Sequence, residues 1–252
     1  MTDKAMPQVS VIMPSYNSAA FIAESIASVQ QQTHHNWELI IYDDGSTDES
    51  VDVIRGIMKD EDRITLIEGQ GNQGAAVARN EAIKRARGRF IAFLDSDDVW
   101  LPEKLDRQIA FMTQNGYAMT YTYYTRMTED GAAMDGVVMP DAHLDYKELL
   151  KSNQIGCLTA IYDTQPLGKV YMPLIRKRQD YGLWLAILKK GVRAYCLTEC
   201  LAVYRVRSGS ISSNKLEMLK YNWSLYREVE RFSVLRSAYY LGWNIMRKVC
   251  GK

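Results

Sequence analysis

The first hundred residues alternate between two hydrophobic periods, and this alternation restricts the fold more than any other feature of the chain. Apolar runs rich in β-branched residues predict short strands at residues 9–13, 38–42, 63–67 and 89–94. Between these runs, apolar residues recur at helical spacing, as at Ile22, Ile26 and Val29. Strands that alternate with helices of this length predict βαβ units, and therefore an α/β fold with a mostly parallel, Rossmann-like central sheet flanked by helices.

The pattern changes after Trp100, where strands and helices no longer alternate regularly. We expect a helix at residues 101–113, a strand at 117–124, a turn at 129–131, a helix after Asp180 and a strand at 194–204. No repeat or low-complexity linker separates the two parts of the chain. We therefore expect them to pack as one unit.

Composition excludes several classes of protein. Of the 252 residues, 47% are hydrophobic and 24% are charged, which is typical of a globular chain rather than a disordered one. The formal net charge of +1 gives no electrostatic reason to propose a nucleic-acid partner. The longest apolar run, residues 183–188, is far too short to span a membrane, and the N-terminus lacks the apolar segment of a secretory signal. These features predict a cytoplasmic protein.

The cysteines predict reduced thiols rather than a zinc site. The chain has 4 cysteines, no two of which form a CxxC pair, and its 3 histidines lie far from Cys196 and Cys200 in sequence.

Acidic residues directly follow two of the predicted strands. Asp43 and Asp44 follow the second strand, and Asp95, Asp97 and Asp98 follow the fourth. Parallel α/β sheets place ligand sites at the carboxyl ends of their strands, where so many carboxylates repel one another unless a cation compensates them. Mg²⁺ and Mn²⁺ prefer carboxylate oxygens and complete their coordination with water and substrate phosphates. Asp95 and Asp97 therefore predict a divalent-metal site that serves a nucleoside diphosphate.

The glycine string GQGNQG, at residues 69–74, offers an alternative, because it matches the GxGxxG pattern of dinucleotide-binding proteins and opens a helix. Asp95 lies 21 residues beyond its last glycine, close to the spacing of that pattern. However, the string belongs to the third βα unit, and its strand is short and bounded by Arg63 and Glu68. A dinucleotide site would also leave most of the acidic residues unexplained, so we do not favour it.

Taken in order, the strings VSVIMPSYN, ELIIYDDGSTD, NQGAAVARNEAI and GRFIAFLDSDDVWLPEKL resemble the inverting family 2 glycosyltransferases, which have the GT-A fold. The resemblance continues through RQDYGLWL and YRVRSGSIS to about residue 236. It is closest to the bacterial enzymes that build capsule, O-antigen or teichuronic acid. It implies a nucleotide-sugar-binding half at residues 1–105, an acceptor-binding half of the same domain at 106–214, and a C-terminal helical tail at 215–252.

The resemblance also implies roles for individual residues. Asp95 and Asp97 match the DxD motif, in which Asp97 would bind Mn²⁺ or Mg²⁺ and Asp95 would lie at the ribose and the metal region. Asp44 matches the carboxylate that bonds the uracil of a UDP-sugar, and Tyr16 matches the ring that packs on that base. The other residues expected to bind the nucleotide sugar are Pro14, Ser15, Arg79, Ser96 and Arg207.

Asp180, in the string RQDY, matches the catalytic base that takes the proton of the acceptor hydroxyl. Without the resemblance, an isolated aspartate at the start of a helix would be interpreted as an N-cap. The implied acceptor is a hydroxyl of a glycan or a lipid-linked glycan in surface polysaccharide biosynthesis. The chain lacks the QxxRW motif of processive synthases, so we expect the transfer of a single sugar.

The chain departs from the family pattern after the last predicted strand, where family members often carry a histidine near the diphosphate or the metal. Here the stretch reads YRVRS and contains Arg207. A guanidinium can pair with phosphate oxygens, but it cannot ligate a metal.

Two other functions remain open at this point. A nucleotidyltransferase also uses aspartates on an α/β sheet, but the turn after the first strand has no cradle of glycines and basic residues for a triphosphate. A non-catalytic carbohydrate-binding protein would need neither Asp97 nor Asp180.

The C-terminal tail differs from the rest of the chain in charge, because residues 236–252 contain four basic residues and no acidic one. One helical face of the tail contains Leu235, Tyr239, Trp243, Met246 and Cys250. Such a helix is typical of peripheral attachment to an anionic membrane surface, here the inner face of the cytoplasmic membrane. Docking of the helix on its own domain is an equally good interpretation.

Overall fold

A single sheet runs through the part of the chain that the structure, a computed structural model, describes, residues 7–207 and 215–249. Its strands are β1 (Val9–Ser15), β2 (Trp37–Asp43), β3 (Ile64–Glu68), β4 (Phe90–Phe93), β5 (Val99–Trp100), β6 (Met119–Met127), β7 (Ala133–Val138), β8 (His143–Leu144), β9 (Ile161–Asp163) and β10 (Ala194–Arg205). They are ordered β3-β2-β1-β4-β9-β6-β10-β5, with β7 paired to β6 and β8 to β10. The six strands β3, β2, β1, β4, β6 and β10 run in one direction, and the others run against them.

Helices cover both faces of this sheet and form two cores. They are α1 (Ile22–Gln30), α2 (Ser50–Met58), α3 (Ala75–Arg85), α4 (Lys104–Asn115), α5 (Tyr146–Lys151), α6 (Thr164–Leu167), α7 (Gln179–Leu188), α8 (Lys215–Ser224) and α9 (Val234–Val249), with a 3-10 turn at Cys157–Thr159 and a π-helical segment at Leu225–Val229. Helices α1, α2 and α4 pack on one face of the sheet, and α3, α5 and α7 pack on the other. Because both faces are covered, β2 is buried along its whole length.

The α/β architecture predicted from the alternating periods is confirmed. All four strands predicted in the first hundred residues are present, and their bounds differ from the predicted ones by two residues at most. β3 lies at the edge of the sheet, as its flanking charges indicate. The helix expected at residues 101–113 begins only at Lys104, because residues 99–100 form β5 against β10 and Leu101 donates its backbone N–H to the Leu201 carbonyl at 3.0 Å.

A buried polar network holds the C-terminal helix α9 on the body of the protein. The Asn244 amide donates to Tyr226 Oη at 2.7 Å and to the Leu150 carbonyl at 3.3 Å. Tyr226 Oη donates to the same carbonyl at 2.7 Å and lies 3.1 Å from the hydroxyl of Tyr181 in α7. Interlocked hydrogen bonds of this kind define one orientation of the packed helices. Within the described ranges, no helix combines the length and the apolar character needed to cross a membrane.

Two loops at the carboxyl edge of the sheet approach each other through glycines. A Cβ built at Gly45, after β2, would lie only 2.6 Å from the Cα of Gly71, in the loop between β3 and α3. Both residues have positive φ, +79° at Gly45 and +80° at Gly71, a conformation that side chains of L-residues rarely allow. The glycine string at residues 69–74 therefore serves this close approach and the start of α3.

We expect Gly45→Ala to destabilise the fold, because the added methyl group meets backbone atoms of Gly71 that no side-chain rotation can move away. The expected loss is about 1–3 kcal/mol in the free energy of unfolding, measured by urea denaturation. Gly56→Ala is the matched control: this position lies in α2 with open space around it, and alanine there should stabilise the protein by up to about 1 kcal/mol. Equal stabilities of the two variants would contradict the close approach.

Candidate active site

The acidic strand ends come together at the carboxyl edge of the parallel strands. β1 lies between β2 and β4, so the loops that follow these three strands are neighbours. Asp44 directly follows β2, and Asp95, Asp97 and Asp98 lie shortly after β4. The chain therefore places these residues where α/β folds form their ligand sites.

Asp44 lies at the N-terminus of α3. Its two carboxylate oxygens accept hydrogen bonds from the backbone N–H groups of Gln73 at 2.9 Å and Gly74 at 2.7 Å. The helix dipole favours an anion at this position, so the buried carboxylate is held in one orientation. A carboxylate has about four acceptor sites. Asp44 therefore keeps the capacity to accept one further hydrogen bond, such as that of a pyrimidine imide N–H.

The residues at the end of β1 differ in how far their side chains are exposed. Tyr16 is 45% exposed, and its loop is joined to that of Asp44 because the Ser15 carbonyl accepts the Asp44 N–H at 2.8 Å. Pro14 is half-buried. The Ser15 hydroxyl is buried and donates to Asp43 at 3.1 Å, so this side chain supports the loop from the inside.

Two of the acids that follow β4 form ion pairs with arginines. Arg79 of α3 donates to Asp95 Oδ1 at 2.5 Å, and Arg207 donates to Asp97 Oδ2 at 3.2 Å. Arg79 is buried, and its Nε has no hydrogen-bond partner among the described residues. Burial disfavours the charged guanidinium, but the charge and hydrogen bond of Asp95, together with the charges of Cys157 and Asp180, outweigh this effect and raise the pKa of Arg79. Arg79 therefore remains a cation beside the DxD acids.

Arg205, at the end of β10, holds the acidic loop in place and is not among the predicted site residues. Its backbone N–H donates to Asp98 Oδ1 at 2.9 Å, and its Nε donates to the Asp97 carbonyl at 2.9 Å. Its other guanidinium nitrogens reach a Glu24 carboxylate oxygen at 2.5 Å and the Glu129 carbonyl at 3.1 Å. Its burial within a strand would have identified Arg205 as a site residue, but burial cannot be read from a single sequence.

Burial and mutual repulsion raise the pKa of Asp97 and of Asp98. Burial, followed by the charge of Asp95, raises the pKa of Asp97, while Arg207 opposes the rise. Burial and the charges of Asp95 and Asp97 raise the pKa of Asp98 well above its usual range. Ser96, between the DxD acids, is buried. The loop therefore concentrates negative charge that the arginines compensate only in part.

The donor set fits a hard divalent cation that shares its coordination with a substrate phosphate. The side chains of Asp95 and Asp97 remain 29% and 24% exposed, so both keep carboxylate surface for a ligand. Across residues 7–207 and 215–249, no cluster of three or more histidine, cysteine, aspartate or glutamate side chains is arranged to hold a metal ion. Mg²⁺ sites that serve nucleotides commonly use one or two carboxylates and take phosphate oxygens and water for the rest. A two-carboxylate site that a diphosphate completes is consistent with both observations.

Asp180 lies in the first turn of α7. The N-cap of this helix is Arg178 and no side chain caps it, so the interpretation of Asp180 as an N-cap is wrong. The Asp180 carboxylate is half-buried and accepts a long hydrogen bond of 3.5 Å from the Asn153 amide. Asn153 is not among the predicted site residues, because nothing in the local sequence pattern distinguishes it.

Cys157 and Arg79 show that Asp180 lies near the DxD loop. Burial raises the pKa of the Cys157 thiol; Arg79 opposes this rise, and the charges of Asp95 and Asp180 add to it. The same two carboxylates act on Arg79 and raise its pKa. Asp180 is therefore close enough to Arg79, the ion-pair partner of Asp95, for its charge to act on that guanidinium.

Comparison with known proteins identifies the family. Residues 10–157 match the family described as "Glycosyl transferase family 2". TuaG of Bacillus subtilis, named a teichuronic acid biosynthesis glycosyltransferase, is 45% identical over 233 residues, which cover 92% of each chain. WfgD of Escherichia coli, named a UDP-Glc:alpha-D-GlcNAc-diphosphoundecaprenol beta-1,3-glucosyltransferase, is 38% identical over 239 residues, or 94% of this chain and 92% of WfgD.

A solved structure shows the same fold. The S. aureus protein TarS, as residues 1–349 in complex with UDP-GlcNAc, has a TM-score of 0.71 at 21% identity, and the match covers 93% of this chain and 70% of that one. The family match spans more than half of this chain, and two relatives exceed 30% identity over nearly all of it. The chain therefore belongs to glycosyltransferase family 2 and is a glycosyltransferase with the GT-A fold.

Proposed function

We propose that this protein transfers one sugar from a UDP-sugar to a hydroxyl of a lipid-linked glycan, with inversion at the anomeric carbon and with a divalent cation, in bacterial surface polysaccharide biosynthesis. The observation that carries the proposal is that Asp180 lies close enough to the buried Arg79–Asp95 ion pair of the DxD loop for its charge to act on Arg79. An inverting transfer needs a leaving-group site and a base on opposite sides of one sugar.

The first 105 residues would bind the nucleotide. The Asp44 carboxylate would accept a hydrogen bond from the imide N–H of uracil, because its two bonds to backbone N–H groups leave lone pairs free. The exposed ring of Tyr16 would pack on the base, and Pro14 and Ser15 would support the pocket beneath it.

The DxD loop would bind the diphosphate and the metal. Asp97 would hold Mn²⁺ or Mg²⁺ with Asp95, and Arg79 would keep Asp95 in position through its ion pair of 2.5 Å. A bound divalent cation supplies charge neutralisation to the departing diphosphate. Arg207 would add a guanidinium for phosphate oxygens, and Ser96 would hold the loop between the two acids.

Asp180 would take the proton of the acceptor hydroxyl as its oxygen attacks the anomeric carbon. The half-buried carboxylate has one long hydrogen bond, to Asn153, and therefore retains free lone pairs for that proton. Because the nucleotide would leave from the DxD side, attack from the Asp180 side inverts the anomeric configuration.

The relatives support the class of acceptor. The name of WfgD states a sugar acceptor linked to diphosphoundecaprenol, and the name of TuaG states teichuronic acid biosynthesis. We therefore assign a lipid-linked glycan to residues 106–214 and membrane contact to residues 215–252. Cys250 and residues 208–214 lie outside the described residues.

Helix α9 supports a peripheral location on the cytoplasmic face of the membrane. The side with Tyr240 and Asn244 is buried on the body, whereas Leu235 and Tyr239 on the other side are 83% and 56% exposed. Trp243 is half-buried below the ammonium group of Lys151, which lies 5.0 Å from its ring. The helix thus docks on its own domain and still presents an apolar face, so the two interpretations of the tail are compatible.

The donor assignment predicts that UDP together with Mn²⁺ raises the melting temperature and that EDTA removes the rise. A hundredfold excess of ligand over its dissociation constant stabilises by about 2.7 kcal/mol. Asp97→Asn should abolish the metal-dependent part of the shift, because it removes a charged ligand. Asp52→Asn, at a side chain 83% exposed on α2, is the control and should leave the shift unchanged. A metal-independent shift with NAD instead would overturn the assignment.

The base assignment predicts that Asp180→Asn lowers the rate of sugar transfer by about 10²–10⁴-fold, because the amide cannot accept the proton. The variant should retain the UDP–Mn²⁺ shift in melting temperature, which separates loss of the base from loss of the fold. The anomeric proton coupling of the product, read by NMR, should show the configuration opposite to that of the donor. Normal turnover by the variant, or retention of configuration, would rule out this role.

The membrane assignment predicts that the protein sediments with vesicles that contain phosphatidylglycerol and not with purely zwitterionic vesicles. Leu235→Glu combined with Met246→Glu should weaken this binding about tenfold or more, because both side chains are exposed on the apolar face of α9. Leu101→Glu is the control: it changes a residue 38% exposed before α4, on the other face of the sheet. Equal sedimentation with both lipids, or no sedimentation, would refute the assignment.

A further inference from the structure

Arg176 and Arg178 lie four and two residues before the proposed base, Asp180, and neither side chain makes a hydrogen bond or an ion pair within the part of the chain that the structure describes. We propose that these guanidinium groups form a binding site for the diphosphate of a prenyl-diphosphate-linked acceptor, with Arg178 as the principal ligand. This inference rests on the proposed function, because it concerns the acceptor of the same reaction.

The backbone conformation of Arg178 and the surroundings of its side chain are both energetically unfavourable without a ligand. Its φ of 68° places it in the left-handed region, which is uncommon for a residue with a side chain. The side chain is half-buried, and its Nε is buried without a hydrogen-bond partner among the described residues. A buried donor that lacks a partner is costly, and strain of this kind clusters at ligand sites.

The position of Arg178 connects it to the acceptor side of the cleft. Burial raises the pKa of Tyr181, and the charge of Arg178 is near enough to oppose that rise. The Tyr181 hydroxyl donates to the Leu149 carbonyl at 2.9 Å, near the end of α5, and Asn153, just beyond that end, contacts Asp180. Arg178 is the N-cap of α7 and Asp180 lies in the first turn of the same helix, so an acceptor whose sugar reaches Asp180 would have its phosphates within reach of Arg178.

The neighbouring cation shows that Arg176 and Arg178 differ from an ordinary solvated basic run. Lys177, between them, forms an ion pair with Glu217 at 2.9 Å and lies 5.0 Å from the ring of Tyr221. Glu217 thus pairs with the lysine, and the charge of Arg176 also acts on Glu217, whereas Arg178 keeps its guanidinium for a ligand. Guanidinium groups bind phosphate oxygens through paired, charge-assisted hydrogen bonds, whereas an ammonium group offers a single point charge.

The loop that carries these arginines also has apolar side chains suited to a prenyl chain. Leu174 is 72% exposed and Tyr171 is 43% exposed in the stretch between α6 and α7. Pro173 packs against the first turns of α7, since a Cβ at Gly182 would lie 2.4 Å from its ring. The apolar residues are therefore tied to the helix that presents Arg178 and Asp180, and the combination matches a ligand with a phosphate head and an isoprenoid tail.

The test is calorimetric binding of geranyl diphosphate in EDTA, which removes the metal-dependent donor site. Wild-type protein should bind geranyl diphosphate and not geraniol. Arg178→Asn should weaken binding about tenfold or more, because it removes the charge-assisted hydrogen bonds between the guanidinium and the phosphate oxygens. Asparagine is chosen because it tolerates the left-handed φ of this position. Arg178→Lys should give an intermediate loss. Arg231→Asn is the matched control, since Arg231 is an exposed arginine with φ of 55°, and it should leave binding unchanged.

Steady-state kinetics provide a second readout. In Arg178→Asn the KM for a diphosphate-linked acceptor should rise by a similar factor, and the KM for the UDP-sugar should not change. Absence of geranyl diphosphate binding, or equal binding by Arg178→Asn, would overturn the inference, and an intact UDP–Mn²⁺ shift would show that the proposed function stands without it. Weaker sedimentation of Arg178→Asn with phosphatidylglycerol vesicles, with unchanged geranyl diphosphate binding, would assign the charge to membrane headgroups and would also overturn it.

Discussion

The compensation of negative charge at the carboxyl edge of the sheet is the constraint on which the rest of the site depends. Asp95, Asp97 and Asp98 lie within four residues, and burial together with their mutual repulsion raises the pKa of the latter two. Arginines hold them: Arg79 pairs with Asp95, while Arg207 and the backbone of Arg205 hold the other two. Acids placed so closely need such partners to remain charged in one loop.

These partners also join the two halves of the molecule. Arg79 lies on α3, in the part that binds the nucleotide in our proposal, whereas Arg205 and Arg207 lie at and beyond the end of β10. Arg205 extends the connection by bonding Glu24 of α1 and the carbonyl of Glu129. The acidic loop is therefore held between elements that are far apart in sequence, and the proposed donor site cannot form until both halves have folded.

The glycine string illustrates how one pattern can serve a different physical purpose. Glycines at residues 69–74 match a dinucleotide-binding motif, but in the structure they let Gly71 approach Gly45 and let the N-terminus of α3 bind Asp44. The helix N-terminus still meets an anion, as in the dinucleotide motif. Here that anion is the carboxylate of Asp44, which the two backbone hydrogen bonds hold in one orientation.

The sequence by itself determined the alternating strands and helices, the loops that carry Asp44 and Asp95, and the family, because these are local signals of periodicity and of motif order. Only the tertiary structure decided that Arg205 is buried on Asp98, that Arg178 rather than Asp180 is the N-cap of α7, and that α9 docks through Asn244 while Leu235 stays exposed. Such contacts depend on how distant segments align. Asp98 and Arg205, 107 positions apart in the sequence, are brought together by the register of β10, which shifts at Cys200 along its pairing with β6. No local pattern encodes that register, because it results from the packing of the whole sheet.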